Sequence, residues 1–164
     1  EGVRPDVMCL GKALGGGVLP VSAVVADKAI MDVFTPGTHG STFGGNPLAA
    51  AVGLAALAVL EDEQLDERVA VLGEQLREEL RAIDCPRIVE VRGKGLLNAV
   101  VFEPGFEAWD TCLALKDAGL LAKQTHGNII RFAPPLVISE DELDEAIAIV
   151  RKVCTAIPAP AGAK

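Results

Sequence analysis

The segment that decides the fold is DVMCLGKALGGGVLPVSAVVA, residues 6–26. It contains two apolar runs, residues 6–10 and 20–26, on either side of Lys12 and a glycine triplet at 15–17. Short apolar runs that are rich in β-branched residues and bounded by glycine and proline are typical of strands. The pattern therefore predicts a strand, a glycine-rich connection that begins near Lys12, and a second strand.

Helices are predicted after this segment. Asp27 stands where it can cap a short helix over residues 28–34. Asn46 followed by Pro47 is a typical helix start, and the Ala/Leu-rich run behind it predicts a helix to about Glu61. Its apolar residues are spread around the whole helix, which predicts burial on every side.

The rest of the chain has shorter and more varied elements. Apolar residues at steps of three and four predict an amphipathic helix over residues 65–83. Ser139 and Glu142 form a capping-box pattern that predicts the start of a last helix. The elements predicted between these two helices are strands at 88–91, 96–102 and 129–133 and a helix at 107–118. The fold class is therefore α/β, with the end of a larger domain in residues 1–63 and a small α+β domain in residues 64–164.

Composition excludes several classes of function. Fifteen basic and 23 acidic residues give a net charge of −8, which is unsuited to nucleic acid and to anionic membranes. The most apolar run, residues 48–60, is shorter than the roughly 20 residues that cross a bilayer. No signal peptide is recognisable. We therefore expect a cytoplasmic protein.

The four cysteines, Cys9, Cys85, Cys112 and Cys154, are far apart and make no CxxC pair. Two isolated histidines do not complete a metal-binding spacing, so no metal site is predicted. Each cysteine stands beside aliphatic residues, which predicts buried free thiols in a reducing compartment.

Lys12 and the loop at residues 40–45 are the segments best suited to chemistry. A lysine between a strand and three glycines can be partly desolvated, which frees its amine as a nucleophile, although a solvated loop lysine fits the same pattern. Ser41, Thr42 and the neighbouring glycines offer hydroxyls and backbone N–H groups ahead of a helix, as an anion site does. A simple capped turn explains that loop equally well.

Two common phosphate motifs do not fit these residues. A P-loop needs a glycine where Asp6 stands and a serine or threonine where Ala13 stands. The run Gly93-Lys94-Gly95 lacks the third glycine of a dinucleotide-binding fingerprint, because Asn98 occupies that position.

The motifs together resemble those of class-III, fold-type-I aminotransferases, which use pyridoxal 5′-phosphate. The segments that carry the resemblance are LGKALGGG at 10–17, PVSAVVA at 20–26 and HGSTFGGNPLA at 39–49. Two later segments, VRGKGLLNA at 91–99 and GLLAKQTHGNIIRFAPPLVI at 119–138, resemble the ornithine aminotransferases within that class. The resemblance covers nearly the whole chain.

The resemblance implies a role for four residues. Lys12 matches the lysine that holds the cofactor covalently and later moves a proton between the substrate carbon and the cofactor. Thr42, with Ser41 beside it, matches the residue that reaches the cofactor phosphate of the other subunit in a homodimer. Arg131 matches the arginine that meets a substrate carboxylate in the glutamate/2-oxoglutarate half-reaction, and a structural ion pair is its alternative role.

The family's other cofactor-binding residues match no position in residues 1–164, so we interpret the chain as an amino-terminally truncated piece. These residues are the glycine and hydroxyl cup for the phosphate, the aspartate at the pyridine nitrogen, the aromatic on the ring and a second carboxylate-binding arginine. The expected activity of the complete enzyme is transfer of the δ-amino group of ornithine to 2-oxoglutarate, which gives glutamate 5-semialdehyde and glutamate. Acetylornithine or 4-aminobutyrate aminotransferase activity is the alternative, as is a non-catalytic remnant or a split subunit.

Overall fold

The computed structural model describes residues 2–160. Contacts divide the chain into two compact units, Glu1–Gln64 and Leu65–Lys164. The assignment of these units to a cofactor-binding domain and a small carboxy-terminal domain stays a prediction.

The first unit contains a β-ribbon and two helices. Strands β1 (Val7–Leu10) and β2 (Ala23–Ala26) pair antiparallel. A 3₁₀ turn, Lys12–Gly15, follows β1 directly. The helices are α1 (Lys28–Met31) and α2 (Pro47–Asp62). The two predicted strands are confirmed, although β2 begins three residues later than predicted.

Of the two helix caps predicted in this unit, one is present in the structure and the other is not. The Asn46 side chain accepts hydrogen bonds from the backbone N–H groups of Leu48 at 2.9 Å and Ala49 at 3.4 Å, so this cap is confirmed. Asp27 occupies the cap position of α1, but its side chain makes no capping hydrogen bond. Its carboxylate accepts from the Arg4 guanidinium at 3.2 Å instead. The predicted Asp27 cap is therefore wrong, and the ion pair explains where the carboxylate points.

Helix α2 is not buried in this chain, contrary to the prediction. Gly53 is its one buried residue, and Leu54 is 69% exposed. Within its unit, the helix packs on the turn Lys12–Gly15. That four-residue turn is too small to cover an apolar surface that extends around the whole helix.

The second unit is an antiparallel four-stranded sheet with three helices. The strand order is β3-β4-β6-β5, so β3 and β5 are the edge strands. The three-residue strand β5 was not predicted, because its sequence Lys-Gln-Thr has no apolar alternation. The bounds of the elements are α3 Leu65–Arg81, β3 Ile88–Lys94, β4 Leu97–Phe102, α4 Ala108–Asp117, β5 Lys123–Thr125, β6 Ile129–Phe132 and α5 Glu140–Thr155.

One face of this sheet is covered and the other is open. Val100, Phe102 and Ile130 are at most 1% exposed and belong to the core. Helices α3 and α4 pack on the sheet, and α5 packs on both helices. The alternate residues of β4 and β6, among them Ala99 and Arg131, are not buried. Alternation along a strand therefore places Arg131 on the open face.

A buried arginine joins α3 to the turn between β3 and β4. Arg77 donates to the Gly95 carbonyl and to the Asn98 side-chain oxygen, both at 2.9 Å. It also pairs with Glu74 at 2.8 Å. Gly73 allows the close approach, because a Cβ there would lie 2.0 Å from the Gly95 carbonyl oxygen.

The last helix begins as predicted. The backbone N–H of Glu142 donates to the Ser139 hydroxyl, and the Ser139 N–H donates to the Glu142 carboxylate at 2.9 Å. The Ser139 hydroxyl also donates to that carboxylate at 2.8 Å. The hydrogen bonds that the Ser139 backbone N–H and hydroxyl donate to the Glu142 carboxylate lower the pKa of that carboxyl. The capping box is therefore confirmed.

The cysteine prediction is partly wrong. Cys85, Cys112 and Cys154 are buried free thiols, whereas Cys9 on β1 is exposed. All four residues of β1 are exposed, because the described residues leave the two-stranded ribbon largely uncovered. Among the described residues, no helix is both long enough and apolar enough to cross a membrane.

Candidate functional site

Lys12 occupies a strained position at the end of β1. Its φ angle is +51°, in the left-handed region, which costs a residue other than glycine about 1 kcal/mol or more. Such strain is concentrated at functional sites, so it supports a special role for this lysine. The expected desolvation is absent here, since Lys12 is exposed and residues 2–160 offer its amine no bonded partner.

The loop before α2 presents unused hydrogen-bond donors. Its two internal backbone bonds run from Gly44 N–H to the Ser41 carbonyl at 3.2 Å and from Asn46 N–H to the Phe43 carbonyl at 3.3 Å. The hydroxyls of Ser41 and Thr42 are exposed, and neither bonds to any group in the described part of the chain. Asn46 alone caps the helix, so both hydroxyls remain available to a ligand, and the anion-binding role of the loop stays a prediction.

The space beside this loop is open. A Cβ built at Gly40 or Gly45 would meet no atom within 4 Å, and Gly45 has a φ of +70°. Backbone in such a conformation, without side chains, allows a ligand to approach the N–H groups closely.

Ser41 lines a cleft of about 580 Å³ within the first unit. The cleft lies between residues 19–22 and the first turn of α2, and neither Lys12 nor Thr42 is among its lining residues. His39 lines it as well, with its ring 5.2 Å from that of Phe34. Sequence reasoning gave His39 no role, although it stands directly before Gly40, Ser41 and Thr42.

Arg131 lies in the second unit, on β6. It is exposed and pairs in register with Ala99 on β4 and Lys123 on β5. No carboxylate in residues 2–160 forms an ion pair with it, so the alternative role as a structural ion pair finds no support in this part of the chain.

No metal centre is formed by the described residues, which contain no cluster of three or more potential metal-binding side chains. The first unit offers an amine, two hydroxyls and free backbone N–H groups, and the second unit separately offers a guanidinium. An amine of this kind can react with a carbonyl compound, and the other groups are of the types that bind anions.

Comparison with known proteins identifies the family. The family model for class-III aminotransferases matches residues 1–154. An ornithine aminotransferase of Staphylococcus carnosus is 60% identical over 153 residues, which are 93% of this chain and 38% of that protein. A mitochondrial ornithine aminotransferase of Drosophila melanogaster is 55% identical over 93% of this chain and 35% of its own length. This chain thus spans somewhat more than a third of the length of these relatives.

Solved structures agree in fold. The ornithine aminotransferase of Toxoplasma gondii, a structure with partial occupancy of pyridoxal phosphate at its active site, matches with a TM-score of 0.90 and 48% identity over 94% of this chain and 37% of that one. An acetylornithine aminotransferase of Elizabethkingia anophelis matches with a TM-score of 0.89 and 53% identity over 95% of this chain and 40% of that one. The predicted fold class is confirmed by these matches. With a family match that runs from residue 1 to residue 154, this chain belongs to the class-III aminotransferases.

Proposed function

We propose that the complete protein containing this chain is a pyridoxal-phosphate-dependent ornithine δ-aminotransferase. It transfers the δ-amino group of ornithine to 2-oxoglutarate and releases glutamate 5-semialdehyde and glutamate. The observation that carries the proposal is the 60% identity to an ornithine aminotransferase over 93% of this chain.

The residues present suit that cofactor. Lys12 supplies a primary amine, without a partner in residues 2–160, for the aldehyde. Ser41 and Thr42 supply hydroxyls, and the glycines beside them leave the backbone open to a phosphate. The bound cofactor would accept the electron pair that is left when the substrate carbon loses its proton.

Lys12 has two successive roles in the proposed reaction. Its amine first holds the cofactor covalently. Once released, the same amine would take the proton from the substrate carbon and later return it, as a general acid/base. Lys12 has a left-handed backbone conformation, and Gly11 alone separates it from the end of β1.

Thr42 is proposed to act across a homodimer, with its hydroxyl on the cofactor phosphate of the partner subunit and Ser41 beside it. Two observations support an assembly of this kind. The Thr42 hydroxyl is exposed without a partner in the described part of the chain, and the apolar helix behind its loop is largely uncovered.

Arg131 is proposed to bind a carboxylate of glutamate or 2-oxoglutarate. Its exposed guanidinium has no acidic partner in residues 2–160, so it is available for a ligand. A planar guanidinium matches a carboxylate with two parallel hydrogen bonds.

An acetylornithine aminotransferase is the second candidate, because one such enzyme shares 53% identity and a TM-score of 0.89 with this chain. The two substrates differ in the charge of the α-nitrogen, which acetylation neutralises. We further propose that the enzyme is cytoplasmic, although one relative is named as mitochondrial.

The test uses the enzyme expressed from its complete reading frame. Transamination of 2-oxoglutarate is measured with ornithine, N-acetylornithine and 4-aminobutyrate, and ornithine should have the highest kcat/KM. Turnover of N-acetylornithine as fast as that of ornithine would contradict the choice of substrate.

A second measurement tests the site itself. Borohydride reduction of the holoenzyme followed by peptide mapping should place the cofactor on Lys12. Residues 1–164 alone should form no active transaminase. Activity restored by co-expression with the upstream part of the protein would identify a split enzyme. Its absence would mean a remnant or an incomplete piece of the enzyme.

A further inference from the structure

A row of four residues crosses the open face of the second unit's sheet. Strand pairing places Arg92 opposite Ala99, Ala99 opposite Arg131, and Arg131 opposite Lys123. Residues that pair directly across neighbouring strands project from the same face. Three cations therefore share one line of the sheet.

The charges of this row are not equally compensated. Arg92 forms an ion pair with Glu90 at 3.1 Å. Arg131 and Lys123 are both exposed, and neither has an acidic partner within residues 2–160. Like charges directly opposite each other destabilise a sheet, so folding alone gives no reason to place these two together.

The spacing of the pair suits a single anion. Neighbouring strands lie about 4.8 Å apart, so both side chains reach the same space above β5 and β6. Ala99 is small and leaves the other flank of Arg131 clear. Arginine provides a planar fork for two carboxylate oxygens, and lysine adds a mobile point charge beside it.

We infer that Lys123 is a specificity-determining residue that joins Arg131 in a two-cation site for a dicarboxylic 2-oxo acid. This inference rests on the proposed transaminase function. The amino acceptor carries two carboxylates and no cation, whereas ornithine carries one carboxylate and two ammonium groups. The lysine charge beside Arg131 thus attracts the acceptor more strongly than it attracts the donor.

A purely structural role for Lys123 predicts something different. Strand β5 is an edge of the sheet, and lysines on edge strands prevent pairing with other chains. Replacement of such a lysine would promote aggregation and leave substrate binding unchanged.

The decisive variant is Lys123→Met in the complete enzyme, with Lys123→Arg beside it. The two half-reactions are followed separately by the cofactor absorbance in single turnovers. Lys123→Met should lower the affinity for 2-oxoglutarate by about five- to twentyfold, because a partly solvated charge-assisted hydrogen bond is lost. The apparent affinity for ornithine should stay within about twofold of the wild-type value. Lys123→Arg should retain most of the affinity for the acceptor.

A matched control isolates the charge at this position. Lys152→Met removes an exposed lysine of α5 and should leave both half-reactions unchanged. An unchanged affinity for 2-oxoglutarate, or an equal loss for donor and acceptor, would overturn the inference.

Failure of the proposed function would be visible separately. If the wild-type enzyme turned over neither ornithine nor 2-oxoglutarate, calorimetric titration with 2-oxoglutarate would still test the pair. Weaker binding to Lys123→Met than to the wild type supports the two-cation site, and no binding to the wild type refutes it.

Discussion

Arg131 presents a guanidinium from the open face of the sheet, and the planarity of that group is a property that lysine lacks. We expect Arg131→Lys in the complete enzyme to raise the KM for 2-oxoglutarate by about 10- to 100-fold, because one point charge replaces two parallel hydrogen bonds. Steady-state kinetics with varied 2-oxoglutarate measures this change.

The matched control for Arg131 is Arg92→Lys in the same row of the sheet. Arg92 is already paired with Glu90, and a lysine can keep that exposed ion pair. We expect its KM values to stay within about twofold, as for changes at exposed ion pairs. Equal effects of both replacements would refute a special role for Arg131.

Cys154 makes the stability of the second unit depend on alkaline pH. Burial, and secondarily the nearby Cys85 thiol, raise the pKa of Cys154 from 9.0 to about 12. Its contribution to stability is therefore complete below pH 9 and is lost as the pH rises toward 12, because the unfolded thiol ionises first. The free energy of unfolding should fall in that window by up to about 1.4 kcal/mol per pH unit.

Urea titrations between pH 8 and pH 11 measure this slope, and Cys154→Ala should make it shallower. Cys9→Ala is the control, because Cys9 is exposed and its replacement should leave the slope unchanged. An identical slope for the wild type and Cys154→Ala would show that other groups determine the alkaline stability.

Among the elements, α3 approaches the β3–β4 turn closely at Gly73. A Cβ at Gly73 would lie 2.0 Å from the Gly95 carbonyl oxygen and 2.3 Å from its carbon. Backbone cannot move aside as a side chain does, so Gly73→Ala should destabilise the protein by about 2 kcal/mol despite the higher helix propensity of alanine. Denaturant unfolding of the complete chain measures the loss.

Gly53→Ala in α2 is the matched control for Gly73→Ala. The nearest atom to a Cβ at Gly53 is the Leu14 carbonyl oxygen at 3.8 Å, an ordinary contact. Alanine should therefore stabilise α2 by about 0.5–1 kcal/mol. A loss of stability at Gly53 as large as that at Gly73 would mean that helix glycines are required here for a reason other than close packing.

The elements that sequence reasoning predicted well are those determined by neighbours along the chain. The cap at Asn46 and the capping box of Ser139 with Glu142 form between residues at most three positions apart, so the sequence contains all of the information. Asp27 failed as a cap because Arg4, 23 positions away, takes its carboxylate. Strand β5 was missed because its pairing with β6, rather than its composition, makes it a strand.

At the scale of the whole molecule, the sequence identified the candidate residues but not their arrangement. Lys12, the Ser41–Thr42 loop and Arg131 stand in recognisable motifs. The pairing of Lys123 with Arg131 depends on the intervening turn, where His126 and Gly127 both have positive φ angles. A hairpin turn fixes such a register, but the strand on its amino-terminal side has no apolar alternation that would predict it.

Helix α2 has apolar residues that the described part of this chain leaves exposed. Leu54 is 69% exposed and Leu57, one helical turn away, is 45% exposed. Contiguous apolar surface of this kind marks an interface in a folded protein and promotes association when it is left uncovered. We therefore expect residues 1–164, produced alone, to self-associate at micromolar concentration, which sedimentation velocity would detect.

Leu54→Glu tests whether α2 drives that association. The variant should shift residues 1–164 toward monomer, because a carboxylate on the contact surface would have to be desolvated. Val71→Glu on α3 is the control, since Val71 is 70% exposed but lies on an amphipathic helix whose apolar face is already covered. In the complete enzyme the same Leu54→Glu change should lower the yield of assembled protein while Val71→Glu does not. If residues 1–164 of the wild type were monomeric, the apolar surface of α2 would be stable in water. That surface would then no longer support the proposed homodimer.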